Sequence, residues 1–155
     1  MLDFNRSFAV AKQIRAEKKA CWYNALLAFF TNEDLQKGWY VEGWAIPDME
    51  IHLNIEHGWI ELEDGSIIDP TFAALGDKDV LYFPAIRYTY QEAAKRARGK
   101  RNVKLPFISQ SNINVLTHPA YFEAYKASLK SATGRDYDTM MPHLEKAKQD
   151  RSEAA

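Results

Sequence analysis

Three side chains in this sequence have the types needed for nucleophilic chemistry at a carbonyl: Cys21, His57 and Asp69. Cys21 is the only cysteine. A thiol is a useful nucleophile only as thiolate; its free pKa is ~8.5, and a helix N-terminus or an adjacent imidazolium lowers it. Cys21 opens the run CWYNALLAFF, in which Trp22, Ala25, Leu26, Phe29 and Phe30 recur at helical spacing. A buried helix ending near Thr31-Asn32 follows. Its first residue sits where the helix dipole and free N–H groups stabilise a thiolate and can serve as an oxyanion hole.

A base must reach that sulfur, and a third group must fix the imidazole tautomer. His118 and His143 each adjoin a proline at a predicted helix start, where capping and exposure are sufficient reasons for them. His52 and His57 lie in the alternating run IHLNIEHGWIEL, where Ile51, Leu53, Ile55, His57 and Trp59 share one side. SIID returns as the second strand of a hairpin, and Asp69 closes it with Pro70 directly behind.

The turn decides whether His57 and Asp69 meet. A two-residue turn at Asp64-Gly65 sets Ile60 opposite Asp69 and turns His57 to the other face. A three-residue loop, Glu63-Asp64-Gly65 with Gly65 left-handed, sets Leu62 opposite Ser66 and Trp59 opposite Asp69. His57 then becomes the diagonal neighbour of Asp69 on one face. Ile60 meets Ile68 on the other and supplies core. The second register satisfies both the hydrophobic pattern and the chemistry. Asp69 is read as a polar residue near a cleft, not in the core, and Asp-Pro is also a common turn.

The surrounding elements follow from the same patterns. Residues 5–19 are expected to be helical. GWYVEGWAI (Gly38–Ile46) and VLYFPAIRYT (Val80–Thr89) read as strands, the latter bulged or at a sheet edge because Pro84 interrupts it. PTFAALGDKD between them reads as a loop. Thr89 and Glu92 form a capping box for a helix over YQEAAKRARGK that stops at Gly99. His118–Gly134 is a helix with Pro119 in its first turn, and residues 136–148 are expected to form a last one. Residues 102–117 carry no clear pattern. The sum is an α+β domain over residues 1–150, its catalytic helix packed on a mostly antiparallel sheet with a helical C-terminal part; residues 151–155 form a frayed tail.

Composition bounds the partners. The net charge is −1, so bulk electrostatics points neither to nucleic acid nor to an anionic membrane. No apolar run approaches the ~20 residues of a spanning helix, and the N-terminus lacks a signal-peptide pattern. A cytoplasmic protein is expected. One cysteine excludes an internal disulfide and multi-cysteine zinc sites, and neither metal nor cofactor is expected.

Cysteine at a helix start, then HGW-E on a strand, then DG and IIDPT, resembles the transglutaminase-like branch of the papain-like cysteine peptidases and acyltransferases. The match covers roughly residues 15–90, and the pair Cys21-Trp22 is also similar to papain-type proteases. The resemblance implies a small papain-like fold with Cys21 as nucleophile, His57 as base and Asp69 as orienter. The activities it implies are amide hydrolysis, deamidation, transamidation and acyl transfer on a protein, peptide or small amide or acyl substrate. The short Cys-to-His interval implies a minimal version. Gln13 is the nearest glutamine before Cys21, two helical turns back, so the second oxyanion donor is unassigned.

Trp22, Asn24, Trp59 and Tyr82 are the expected lining of the substrate cleft, although the tryptophans also serve as core. Each triad member has a plainer use: core filler for Cys21, a satisfied strand residue for His57, a turn for Asp69. Lys95, Arg96, Arg98, Lys100 and Arg101 form the one concentrated basic run, a solvated face or else a polyanion site. A second function class stands beside the enzyme: a catalytically inactive module of the same fold that binds through residues 95–104 and the C-terminal helices.

Overall fold

The chain's structure is a computed structural model, and it describes residues 1–48, 54–99, 104–108 and 118–134. His52, His143, Lys100, Arg101, the expected helix over 136–148 and the tail over 151–155 lie outside the described residues.

The first helix, α1, spans Phe4–Ile14 and starts where Asp3 accepts a hydrogen bond from the Arg6 amide. It is shorter than the helical segment expected over 5–19. Arg15 turns the chain left-handed at φ 54°, and Lys19 does so again at φ 60°, so residues 15–20 form a loop. Next comes α2, Cys21–Thr31, whose first helical residue is the cysteine. A short 3-10 turn over Leu35–Lys37 leads into the sheet.

The strands are β1 (Trp39–Pro47), β2 (Ile55–Glu61), β3 (Ile67–Ile68) and β4 (Val80–Tyr88), in the order β3-β2-β1-β4. All pair antiparallel. As Pro84 foretold, β4 is both an edge strand and bulged: Glu42 faces Ile86 while Gly43 faces Pro84, which leaves Ala85 as the extra residue. Helix α3 spans Pro70–Leu75, α4 Tyr90–Arg98 and α5 Pro119–Thr133. The capping box of Thr89 and Glu92 opens α4. Pro119 occupies the first turn of α5, and Gly134 ends it at φ 68°. His118 takes the N-cap position but makes no side-chain cap bond, contrary to the capping role expected for it.

Segment 70–75 departs from the expected loop. Asp69 accepts from the backbone of Thr71 and Phe72, and Pro70 supplies a preset φ at the first helical position, so the DPT run is a helix start. The two sheet faces have different cores. Tyr40, Ile60, Ile68 and Tyr88 pack against Ala25, Leu26 and Phe29 of α2 and Val10 of α1. Val41, Trp59 and Ile67 pack on the other face with Leu2, Trp39 and Tyr82. Among the described residues no helix is long and apolar enough to cross a membrane.

Candidate active site

The hairpin takes the three-residue loop. Ile60 faces Ile68, the Leu62 amide donates to the Ser66 carbonyl at 2.9 Å, and Gly65 sits at φ 80°. Continued by one residue, that register sets Asp69 opposite Trp59 and diagonal to His57. Nε2 of His57 stands 2.7 Å from Oδ2 of Asp69.

Asp69 is the most heavily committed side chain in the site. Oδ1 accepts from the amides of Thr71 at 2.9 Å and Phe72 at 3.1 Å. Oδ2 accepts from the Tyr82 hydroxyl at 2.9 Å as well as meeting His57. Its own amide donates to Ser7 Oγ at 3.0 Å. With 0% exposure it is a buried residue, which corrects its reading as a polar cleft position. A buried carboxylate is tolerated only when its lone pairs are filled and a cation is near, and here one carboxylate both caps α3 and fixes His57.

The imidazole is enclosed. Phe72 lies 4.3 Å from its ring centroid and Trp59 is stacked at 6.3 Å. Burial pushes the His57 pKa down, but the Asp69 carboxylate, through its charge and its hydrogen bond, and the nearby Cys21 sulfur act the other way. The net is a rise from 6.5 to about 10, an imidazolium at neutral pH. With Nε2 on Asp69, Nδ1 is the nitrogen left for the sulfur.

Two local features seat the start of α2, and with it Cys21, close to β2 and His57. The first is Gly58, between His57 and Trp59. A Cβ there would lie 2.8 Å from Cδ1 and 3.3 Å from Cα of Trp22, so only glycine lets the start of α2 settle on β2. The second is Asn24, one turn into α2. Its Oδ1 accepts from the Glu17 amide at 3.0 Å, and its Nδ2 donates to the Glu17 carbonyl at 2.8 Å and to Thr71 Oγ1 at 2.9 Å. The loop before Cys21, helix α2 and the helix that Asp69 caps are thereby tied together. No side chain caps α2 at Ala20, so its first-turn amides are available to a thiolate or an oxyanion.

Of the residues expected to line a cleft, two do not. Asn24 and Trp59 are both 0% exposed: the first spends its amide on the loop, the second fills the core on the His57 face. Tyr82 serves Asp69 through its hydroxyl, and burial followed by the Asp69 charge pushes that phenol well up, keeping it a donor. Trp22 is half-buried beside Cys21, and its indole Nε1 has no hydrogen-bond partner. Cys21 itself is 7% exposed and His57 2%, so side chains must part for a substrate to reach the sulfur.

Sequence reasoning passed over Ser7, which anchors the Asp69 backbone, and Glu42. Glu42 is fully buried; its Oε1 accepts from the Tyr40 hydroxyl at 2.9 Å and from the Phe107 amide at 2.6 Å. The alternation Tyr40-Glu42-Trp44 in an otherwise apolar strand was the available signal for it. In the basic run, Lys95, Arg96 and Arg98 are exposed on α4, with Arg96 5.0 Å over the Tyr88 ring. Among the described residues no group of three or more His, Cys, Asp or Glu side chains could hold a metal ion. No family model, curated protein or solved structure matches the chain.

Proposed function

We propose that the chain is a cysteine-dependent acyl or amide transferase or hydrolase, built on a minimal version of the papain-like, transglutaminase-like plan. The observation that carries this reading is the buried His57 imidazole bonded to the Asp69 carboxylate at 2.7 Å, with Cys21 close enough to act on its charge from the uncapped start of α2. A buried imidazole paired on one side with a carboxylate is common; the same ring facing the only thiol at a free helix N-terminus is the arrangement acyl chemistry requires.

In this mechanism Cys21 Sγ attacks the carbonyl carbon, an S–C bond forms, and the carbonyl π pair moves to oxygen. The Cys21 backbone N–H contributes to the hole that receives this oxyanion. The oxyanion then collapses, the bond to the leaving group breaks, and His57 gives the leaving group its proton. Water or an amine next attacks the thioester, His57 takes the proton, and Cys21 leaves as thiolate. Asp69 keeps Nε2 engaged throughout. A lone reduced thiol suits the cytoplasm, where we place the protein.

The near-closure of the thiol favours one other reading, a catalytically inactive module that binds through exposed Lys95, Arg96 and Arg98. Incubation with p-nitrophenyl acetate, read by intact mass, separates the two. The enzyme reading expects an acetyl adduct on Cys21, absent in Cys21→Ala and slowed in His57→Ala. Acylation no faster than a free-thiol background would leave only the binding module.

A further inference from the structure

Buried polar atoms nearly always find a partner, so each exception needs a reason. Among the described residues, three side-chain oxygens are buried with none: Asn54 Oδ1, Glu56 Oε1 and Tyr121 Oη. They share one side of the sheet. Glu56 alternates with Gly58 on β2 and sits opposite Trp44 of β1, and Asn54 lies immediately before the strand. The Trp44 indole donates to the Tyr121 carbonyl at 3.2 Å, which brings α5 over this face, and Asn54 Nδ2 donates to Ser128 Oγ farther along α5 at 3.0 Å.

The walls are aromatic. Trp44 meets Tyr125 at 5.0 Å and Tyr121 at 6.5 Å between ring centroids. Glu56 pairs with no cation among the described residues, and burial alone raises its carboxyl above the ordinary range. The strip runs up to the thiol. Trp22 and the Tyr40 hydroxyl both lie about the Gly58 position, and Cys21 and Glu56 both bear electrostatically on the Tyr121 phenol.

A lone carboxylate, two further unfilled acceptor oxygens and aromatic faces form one kind of receptor. An organic ammonium supplies the missing charge, up to three N–H donors, and a cation for the rings. A phosphate or carboxylate ligand would meet Glu56 and Glu42 as like charges, and a purely apolar one would leave the orphan oxygens unsatisfied.

We propose that the strip formed by Asn54, Glu56, Trp44 and Tyr121 is a specificity subsite for a positively charged ammonium group carried by the acyl substrate. The consequence for catalysis rests on the reading of Cys21 as nucleophile; the binding itself does not. Ammonium-bearing acyl compounds are the substrate class, with Glu56 as counter-ion and Trp44 and Tyr121 as walls.

The test uses n-butylammonium as probe and n-butanol as its uncharged match, followed by tryptophan fluorescence and by chemical-shift change of the Trp44 indole. Saturable binding of the cation and none of the alcohol is expected in the native protein and equally in Cys21→Ala. Glu56→Gln should weaken it at least about tenfold, equivalent to ~1.4 kcal/mol. Tyr121→Phe, which keeps the ring, should weaken it by a smaller factor and covers the case in which Glu56→Gln fails to fold. Equal response to cation and alcohol, or unchanged affinity in both variants, overturns the proposal. For catalysis, p-nitrophenyl 6-aminohexanoate should acylate Cys21 faster than p-nitrophenyl heptanoate, and Glu56→Gln should erase that preference. Binding without acylation by either ester would refute the nucleophile and leave the ammonium site standing.

Discussion

Oδ2 of Asp69 meets His57 Nε2 at 2.7 Å while Oδ1 of the same carboxylate caps α3 through the amides of Thr71 and Phe72. Position 69 therefore serves the fold and the imidazole at once, and substitutions there can separate the two duties.

Asp69→Ala removes the cap, orphans the Tyr82 hydroxyl and leaves the His57 imidazolium buried without its counter-charge. Losing one partner of a buried pair costs on the order of 3–5 kcal/mol, so this variant should be severely destabilised. Asp69→Asn can keep the cap through Oδ1, but it then offers His57 an N–H in place of an acceptor. The tautomer left at Nδ1 cannot take a proton from the thiol. We predict that Asp69→Asn unfolds at a denaturant midpoint well above that of Asp69→Ala, yet loses thiol reactivity by at least about tenfold. Equal reactivity of Asp69→Asn and the native protein would reduce Asp69 to a helix cap.

Tyr82→Phe tests the role of Tyr82 as partner of Asp69. Removing one hydrogen bond to a charged acceptor should cost ~1.5–3 kcal/mol of stability. Because His57 keeps its own bond to Oδ2, alkylation of Cys21 should stay within about threefold of native, a change of under ~1 kcal/mol. A loss as deep as that of Asp69→Asn would mean that Tyr82 works in the chemistry directly.

Gly58→Ala should act through distance. Its Cβ would press on the Trp22 Cα at 3.3 Å, which is backbone and cannot swing aside, as well as on Cδ1 at 2.8 Å. Overpacking of this kind costs ~1–3 kcal/mol. The start of α2 should move off β2 and take the sulfur away from His57, with reactivity falling more than stability does. Native reactivity in a folded Gly58→Ala protein would show that close seating of α2 is not needed.

The His57–Asp69 pair also sets a pH dependence, read most simply in Cys21→Ala. The Asp69 charge and hydrogen bond still oppose burial there and are expected to keep the folded pKa above the unfolded 6.5. The stabilisation is complete below about pH 6.5 and is lost as pH rises toward the folded value, which is about 10 when the sulfur is present. In urea titrations the unfolding free energy should fall with pH above ~6.5, by up to ~1.4 kcal/mol per pH unit for one proton. Adding Asp69→Asn should flatten that slope. A flat profile in Cys21→Ala alone would mean that the imidazole is neutral in the fold.

Much of this arrangement was legible in the residues. Asp64-Gly65 between Ile60 and Ile68 allowed only one register that buried both isoleucines, and that register brought His57 to Asp69. The apolar spacing after Cys21 fixed the start of α2. Helix α3 was not read because it is short and Asp-Pro serves turns as readily as caps; the bonds from the Thr71 and Phe72 amides to Asp69 are local, and an Asx turn makes the same kind of bond. The early end of α1 left no glycine or proline as a marker. Arg15 is the left-handed cap of α1, with its amide and that of Ala16 bonding back to Lys12 and Ala11, and Asn24 from the next helix then ties the loop at Glu17. Asn24 stands three residues after Cys21, and that nearness in sequence says nothing about which way a helix presents it.

The central claim is that Cys21 and His57 react as a couple. The most direct measurement is the rate of Cys21 alkylation by iodoacetamide against pH, in the native protein and in His57→Ala. Limited access to a thiol this buried lowers every rate in a profile but does not move its midpoint. The account predicts a native profile still substantial at about pH 6, with an apparent midpoint that belongs to the pair, and a return toward ~8.5 in His57→Ala. Superimposed profiles, both centred near ~8.5, would contradict it.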